Sequence, residues 1–287
     1  YYAADVQERY QVTPKEFIDV KALMGDSSDN IPGVPGIGEK GATKLIVEYH
    51  CIENAYAHID EIKQTRVREA LREDTALVTL MMVNNETGAV TDIAGIARTL
   101  RAAKSKALLH TDAVQGFMKE PFSAKTLAAD MISVSGHKVH APKGIGALYI
   151  RQGLKLPAHI LGGGQEDALR SGTEPMPQIA AFGEAVRIAK AEMPEANKRM
   201  EALRAQCVQT LTDAVPDIVF LGGGSAHILS LSLPGYRSEV LMNYLEAKGI
   251  YVSKSSACKR GKRSHVLEAI GAPDKVIDGA LRVSFSR

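Results

Sequence analysis

The sequence predicts an α/β protein that is preceded by a small all-helical segment. From about residue 75, short apolar and β-branched runs alternate with helical patterns, which is typical of a mostly parallel sheet flanked by helices. From about residue 176, a long helical stretch leads into shorter strands and helices, which indicates a second, smaller α+β domain. Residues 1–66 show helical periodicity. The chain of 287 residues is long enough for more than one hydrophobic core.

Three helices are predicted in the N-terminal segment. Thr13 and Pro14 form an N-cap and first-turn pair, and apolar residues then recur at helical spacing up to residue 24. Gly25 ends this helix and opens a loop rich in glycine, proline and aspartate. We expect the charged stretch 62–74, which contains no Gly or Pro, to form a solvated helix that joins two unlike halves. The other two predicted helices are 39–49 and 52–62.

Four buried strands are predicted in the α/β part. Polar residues that follow these strands are candidates for a site, because α/β folds present catalytic residues at the carboxyl ends of their strands. The strands are 76–83, 107–111, 130–135 and 145–151, with a helix at 91–104 between the first two. The smaller domain should contain the helices 176–214, 237–248, 264–270 and 273–280 and the strands 217–220, 227–232, 250–253 and 281–285.

Composition and charge exclude several classes of protein. With 45% apolar and 24% charged residues the chain is an ordinary globular one, and its net charge of +2 does not by itself indicate a nucleic-acid partner. The three cysteines form no CxxC pair, which argues against a disulfide framework and a zinc cage. No apolar run approaches the roughly 20 residues that span a bilayer, so we expect a cytoplasmic protein with no membrane association. The chain begins with Tyr1 rather than Met, which indicates a fragment or a trimmed product.

Lys138 and Asp112 are the first candidate site residues. Lys138 ends the motif SGHK directly after a predicted strand, and Asp112 stands at the end of another strand, shortly before Gln115. A carboxylate that faces a pyridine nitrogen keeps the ring protonated, so that the ring can act as an electron sink. A lone lysine in such a position is usually a surface residue, and a lone aspartate is as often a helix N-cap. The combination of the three residues favours a site.

Eight motifs resemble the cysteine desulfurases of aminotransferase class V, which are pyridoxal-phosphate enzymes of fold type I. The resemblance covers about residues 72–287, and it implies a truncated three-layer large domain at 72–174 and a small C-terminal α+β domain at 175–287. The motifs are VNNETG (83–88), HTDAVQ (110–115), SGHK (135–138), PKGIGALY (142–149), GGGQEDALRSGT (162–173), SSAC (255–258), SHVLEAIG (264–271) and LRVSFSR (281–287).

The resemblance also implies the residues that bind pyridoxal 5′-phosphate. Lys138 would form the Schiff base with the cofactor, and Asp112 would pair with its pyridine nitrogen. The remaining contacts would be Asn85 and Gln115 at the phenolic oxygen, Ser135 and His137 at the phosphate, and Thr173 at the phosphate of the other subunit of a homodimer. The family's first phosphate loop and its ring-stacking histidine have no match before Asn85, so we expect weak cofactor binding and poor turnover of cysteine.

Cys258 and Arg282 would complete the desulfurase site. The resemblance makes Cys258 the thiolate that removes sulfur from L-cysteine, leaving alanine, and carries it as a persulfide to a sulfur-acceptor or scaffold protein in iron–sulfur cluster or thio-cofactor synthesis. Arg282 would grip the substrate carboxylate by a two-pronged contact. His140 and His227 match no motif role and are predicted to be structural. Neighbouring cations lower the pKa of a thiol, and five surround Cys258: Lys254, Lys259, Arg260, Lys262 and Arg263.

Residues 1–66 resemble a different family, the 5′-nuclease domain of bacterial DNA polymerase I at its helix-three-turn-helix region, a helix-hairpin-helix-like segment. The match implies non-specific DNA-backbone binding by Gly33, Gly36, Gly38 and Lys40 and a Mg²⁺ site at Asp26 and Asp29. A P-loop is rejected, because Glu39 stands where lysine should follow Gly38. DNA binding by a 5′-3′ exonuclease fragment, without flap cleavage, is the alternative function. A natural fusion and a recombinant junction near 66–74 both remain open.

Overall fold

The computed structural model of the chain describes residues 3–25, 37–58, 68–254 and 263–286. The chain divides into two compact units, one of residues 1–69 with 232–281 and the other of residues 70–231 with 282–287. The domain boundaries predicted at 66, 72 and 174 stay predictions. None of the helices in the described part of the chain is both long and apolar enough to cross a membrane.

The N-terminal part of the first unit is a group of short helices: α1 (Ala3–Tyr10), α2 (Pro14–Met24), α3 (Glu39–Tyr49) and α4 (Ile52–Ala57). Thr13 caps α2 through a capping box, in which its hydroxyl accepts from the Glu16 amide and the Glu16 carboxylate accepts from the Thr13 amide. The predicted helices 14–24 and 39–49 are confirmed, whereas α4 ends at Ala57 and residues 59–67 lie outside the described residues. The helices share a core of Val6, Tyr10, Val12, Val20, Leu23, Ala42 and Ile46.

The stretch predicted as a joining helix is helical only at 68–70 among its described residues. A turn follows, in which Thr75 donates its amide to the Arg72 carbonyl and accepts the Arg72 amide on its hydroxyl. The Arg72 guanidinium also pairs with Asp74. The prediction of a helix up to residue 74 was therefore wrong. The hydrogen bonds between Arg72 and Thr75 pair backbone groups in a turn, so these groups do not join a helix.

The second unit is built on a four-stranded mixed sheet in the order β1-β2-β3-β4. Its strands are β1 (Leu77–Met81), β2 (Leu108–Asp112), β3 (Met131–Ser135) and β4 (Gly146–Ile150). The first three are parallel and β4 runs antiparallel to β3. Helix α5 (Ile93–Ala102) joins β1 to β2, and α6 (Ala124–Leu127), packed against α5, precedes β3. This arrangement confirms the predicted mostly parallel α/β sheet and its four strands.

The long predicted helix is α7 (Met176–Ala214), and it packs against a 3₁₀ helix, Gly136–Val139, that directly follows β3. A second sheet has the order β5-β6-β8-β7, with β5 (Val219–Phe220), β6 (Ile228–Ser232), β7 (Ser253–Lys254) and β8 (Ala280–Ser284). Gly88 has φ +71°, and a Cβ at this position would lie 2.9 Å from the Ile228 carbonyl oxygen. Glycine is therefore required where the chain after β1 passes β6.

The first unit also contains α8 (Ser238–Glu246), α9 (His265–Ala269) and α10 (Asp274–Asp278), close to three of the predicted helices. The strand predicted at 250–253 is displaced to Ser253–Lys254. Helix α8 causes this difference, because the Ile250 amide donates to the Leu245 carbonyl at 2.9 Å and Gly249, at φ +78°, turns the chain there. An amide held by the helix end cannot begin a strand ladder.

Candidate active site

Asp112 and Ser135 end the two central parallel strands of the mixed sheet. In the register of these strands Asp112 pairs with Ser133, so both strand ends lie at one edge. One carboxylate oxygen of Asp112, Oδ1, accepts from the Val114 amide at 2.9 Å. The other, Oδ2, makes no hydrogen bond to any residue that the structure describes. A half-buried carboxylate with one oxygen unbonded to the described residues therefore lies at the carboxyl edge of the sheet, and its role toward a ligand stays a prediction.

Lys138 lies on the 3₁₀ helix that follows β3, and the local chain folds tightly to place it. The Gly136 amide donates to the Ile145 carbonyl at 2.9 Å, and a Cβ on Gly136 would lie 2.7 Å from the Ile145 side chain. Glycine thus lets the 3₁₀ turn pack closely against the chain that leads into β4. Lys138 lines a cavity of about 210 Å³.

The cavity brings together three of the predicted site residues, Gln115, Lys138 and Arg282. Arg282 also donates from Nη1 to the Asn85 carbonyl at 2.8 Å, so a fourth predicted residue is bonded to its wall. Helix α7 forms another side of the cavity. The remaining lining residues are Met118, Lys119, Val139, His140, Ala189, Glu192, Met193, Ala196, Met200, His227, Ile228, Ser284, Phe285 and Ser286.

Lys119 is a cavity residue that the sequence reasoning missed. Its ammonium donates to the Lys138 carbonyl at 3.0 Å, and Asn197 on α7 donates to the Lys119 carbonyl at 2.7 Å. Burial, and next the charge of Lys138, lower the pKa of Lys119 from 10.5 to about 8. No motif contains Lys119, so the sequence offered no signal for it.

His227 was predicted to be structural, and it also lines the cavity. It is 4% exposed, and its Nε2 has no hydrogen-bond partner among the described residues. Burial lowers the pKa of His227 to about 3, helped by the positive charges of Lys119, Arg282 and Lys138. The imidazole is therefore neutral at physiological pH. A buried polar atom left without a partner is uncommon in a folded protein and calls for an explanation.

Three predicted phosphate contacts lie away from this cavity. Ser135 and His137 are hydrogen-bonded to each other, Oγ to Nδ1, at 2.8 Å, and His137 is exposed. Thr173 is exposed as well. None of the three lines the cavity that contains Lys138. Their roles toward a cofactor therefore stay predictions.

Several predicted site residues lie outside the described part of the chain: Cys258, Asp26, Asp29, Gly33 and Gly36. The described residues hold no group of three His, Cys, Asp or Glu side chains that could bind a metal ion. Gly38 is the N-cap residue of α3 and Lys40 is exposed in its first turn, where an anion contact was predicted.

Two of the five cations expected to activate Cys258 lie in the described part of the chain, and both form ion pairs. Lys254 forms an ion pair with Glu239. Arg263 binds Asp274 at 2.8 Å and Asp278 at 2.9 Å. Cys258 and the other three cations lie outside the described residues, so the activation of this thiol stays a prediction.

Known proteins are similar to this chain in sequence and in fold. The sequence model of the aminotransferase class-V family matches residues 52–287. The chain is 40% identical to cysteine desulfurase 2 of Trichormus variabilis, over 79% of this chain and 58% of that protein. It is 37% identical to the cysteine desulfurase IscS of Methanosarcina thermophila, over 92% of this chain and 70% of that protein. A solved structure of a NifS-like protein superposes with a TM-score of 0.71 at 37% identity, covering 78% of this chain and 59% of that one.

These similarities confirm the predicted α/β fold, whose sheet is mixed. The chain spans 55–58% of the length of several curated relatives. The family match begins at residue 52, inside the segment predicted to be nuclease-like, and no comparison supports a nuclease segment, which stays a prediction. Since the family match covers more than half of the sequence, the chain belongs to the aminotransferase class V family, and the relatives named above are cysteine desulfurases and a NifS-like protein.

Proposed function

We propose that the chain acts as a pyridoxal-phosphate-dependent cysteine desulfurase. The observation that carries the proposal is the cavity in which Lys138, Gln115 and Arg282 meet. A lysine, a glutamine and an arginine that line one small cavity suit a ligand that carries a carboxylate. The cysteine desulfurases among the relatives support the same reaction.

The described residues fit this cofactor. Lys138 lines the cavity, and the Asp112 carboxylate at the carboxyl edge of the sheet keeps one oxygen without a hydrogen bond to a described residue. Lys138 would hold the cofactor covalently, Asp112 would bind its ring nitrogen, and Gln115 its ring oxygen. When bound, pyridoxal phosphate supplies an electron sink for the substrate carbon that carries the amine.

The protein's own residues would orient the substrate and receive the sulfur. Arg282 is held by the Asn85 carbonyl, and a guanidinium fixed in this way can orient a carboxylate by parallel hydrogen bonds. The overall exchange balances: L-cysteine and the Cys258 thiol give L-alanine and a Cys258 persulfide. One carbon–sulfur bond breaks and one sulfur–sulfur bond forms. A thiol acceptor in the sulfur-acceptor or scaffold protein would then take the persulfide sulfur.

The test uses the full chain with saturating pyridoxal phosphate and L-cysteine. We expect slow alanine formation that is lost in Cys258→Ala and retained in Cys207→Ala, whose thiol is half-buried on α7. Borohydride trapping and peptide mass spectrometry should find the cofactor on Lys138, and Lys143→Ala, an exposed neighbour, should not change this. Alanine formation that does not depend on Cys258, or trapping elsewhere than Lys138, would contradict the proposal.

We also propose that the chain works as a homodimer. The exposed position of Thr173 supports this proposal, since in the resembling family the matching residue reaches the cofactor phosphate of the other subunit. Sedimentation velocity should then give twice the 30.9 kDa mass of one chain. A monomer at concentrations at which the chain is active would rule out this role for Thr173.

For residues 1–66 we propose, as the alternative, weak contact with a DNA backbone. The exposed Lys40 in the first turn of α3 and the open space around Gly38 support it. A mobility-shift titration should show binding that weakens steeply with salt and falls in Lys40→Ala but not in Lys15→Ala, an exposed lysine on α2. Binding that is equal in both variants, or absent at low salt, would refute it.

A further inference from the structure

The cavity beside Lys138 contains more polar groups than the desulfurase motifs explain. Gln115, Lys138 and Arg282 have motif roles, whereas Lys119 and His227 have none. His227 is buried, Lys119 is half-buried, and both have a lowered pKa. A buried polar side-chain atom normally has a hydrogen-bond partner, yet Nε2 of His227 has none among the described residues.

The surroundings of His227 indicate which form of the ring is present. Three cations, Lys119, Lys138 and Arg282, line the same cavity, and all three are hydrogen-bond donors. If Nε2 carried a lone pair, one of these donors would be expected to reach it. An N–H at Nε2 explains the missing bond better, because the cavity wall is rich in donors. Among the described lining residues Glu192 is the only acid.

The size and charge of the cavity indicate the class of ligand. Three cations against one carboxylate favour an anion. The cavity volume is about 210 Å³. That space suits a small amino acid. The walls contain Met118, Met193 and Met200, whose polarisable thioethers suit an apolar or sulfur-bearing side chain.

We propose that His227 is a ligand-contacting residue of this cavity, and that its neutral Nε2–H donates a hydrogen bond to the carboxylate of a small amino acid that Arg282 also binds. The ring adds a donor without adding a further charge to a wall that already holds three cations. The ligand class rests on the proposed desulfurase function, whereas the role of His227 rests on the burial and the missing partner of Nε2.

The test measures binding of propionate to the cofactor-loaded full chain by calorimetry. Propionate has the carboxylate but no amine, so it cannot react with the cofactor. We expect His227→Leu to weaken propionate binding about tenfold, because a buried hydrogen bond to a charged group is lost. His227→Gln, which keeps an N–H donor, should restore most of the affinity. His159→Gln is the matched control, since His159 is exposed and does not line the cavity.

Nitrogen-15 NMR of the wild-type histidine rings provides a second measurement that needs no variant. The Nε2 resonance of His227 should be that of a protonated nitrogen in a neutral ring, and propionate should shift it. Equal propionate affinity in the wild type and His227→Leu, or an unprotonated or unshifted Nε2, would overturn the inference. If His227→Leu does not fold, the propionate affinity of His227→Gln and the Nε2 resonance of the wild type test the inference instead. If the wild-type chain forms no alanine but binds propionate through His227, the proposed function is refuted and the inference about His227 stands.

Discussion

Acidification should destabilise this protein through His227, and the size of the effect follows from its burial. The pKa of His227 is lowered from 6.5 to about 3 in the folded chain. Between these values the unfolded chain binds a proton that the folded chain does not, so the free energy of unfolding falls as the pH drops below 6.5. At pH 5, about 1.5 pH units below the unfolded value, the loss is about 2 kcal/mol. Above pH 7 this contribution is constant.

Urea denaturation at pH 7.5 and pH 5.0 measures this loss in the wild type and in His227→Gln. Glutamine keeps a polar side chain but does not titrate, so the variant should lose about 2 kcal/mol less on acidification than the wild type. Other titrating groups are common to both proteins and cancel in the comparison. His159→Gln, at an exposed position, should behave as the wild type. An equal acid loss in the wild type and His227→Gln would refute the assigned burial of this ring.

Urea denaturation also checks three further predictions. Between about pH 8 and 10.5 the unfolded chain holds the Lys119 proton more fully than the folded chain does, because the pKa of Lys119 is lowered on folding. The free energy of unfolding should therefore rise by about 1.5 kcal/mol from pH 8 to 9.5. Lys119→Met should abolish that rise. Gly88→Ala should lower the free energy of unfolding more than Gly144→Ala does. Both glycines have positive φ, and the backbone strain of alanine there is about 1–2 kcal/mol, but only the Cβ at position 88 would meet other atoms. An equal cost would contradict the close approach at Gly88. Asp130→Ala should lower the free energy of unfolding by about 1–3 kcal/mol, because the buried Leu109 amide loses its acceptor at 2.8 Å. An unchanged free energy of unfolding would contradict this bond.

Most helices and strands could be predicted because their signals are local. The capping box at Thr13 and the alternation of apolar runs with helical patterns involve residues close in sequence. The predictions failed where a particular contact overrode the pattern. The Ile250 amide is held by the end of α8, so β7 begins later, and the bonds between Arg72 and Thr75 end the joining helix early. The chain can make several alternative local hydrogen bonds at these places, and the periodicity of apolar residues does not show which of them forms.

The sequence by itself determined the family and the motif residues, because Lys138, Gln115 and Arg282 stand in motifs whose residue order can be recognised without a structure. Only the tertiary structure decided that Lys119 and His227 share a cavity with these residues. Their lowered pKa values and the missing partner of Nε2 come from burial and from charges on segments that are distant in sequence. Burial and long-range charge exist only after the chain has folded, so no local pattern encodes them.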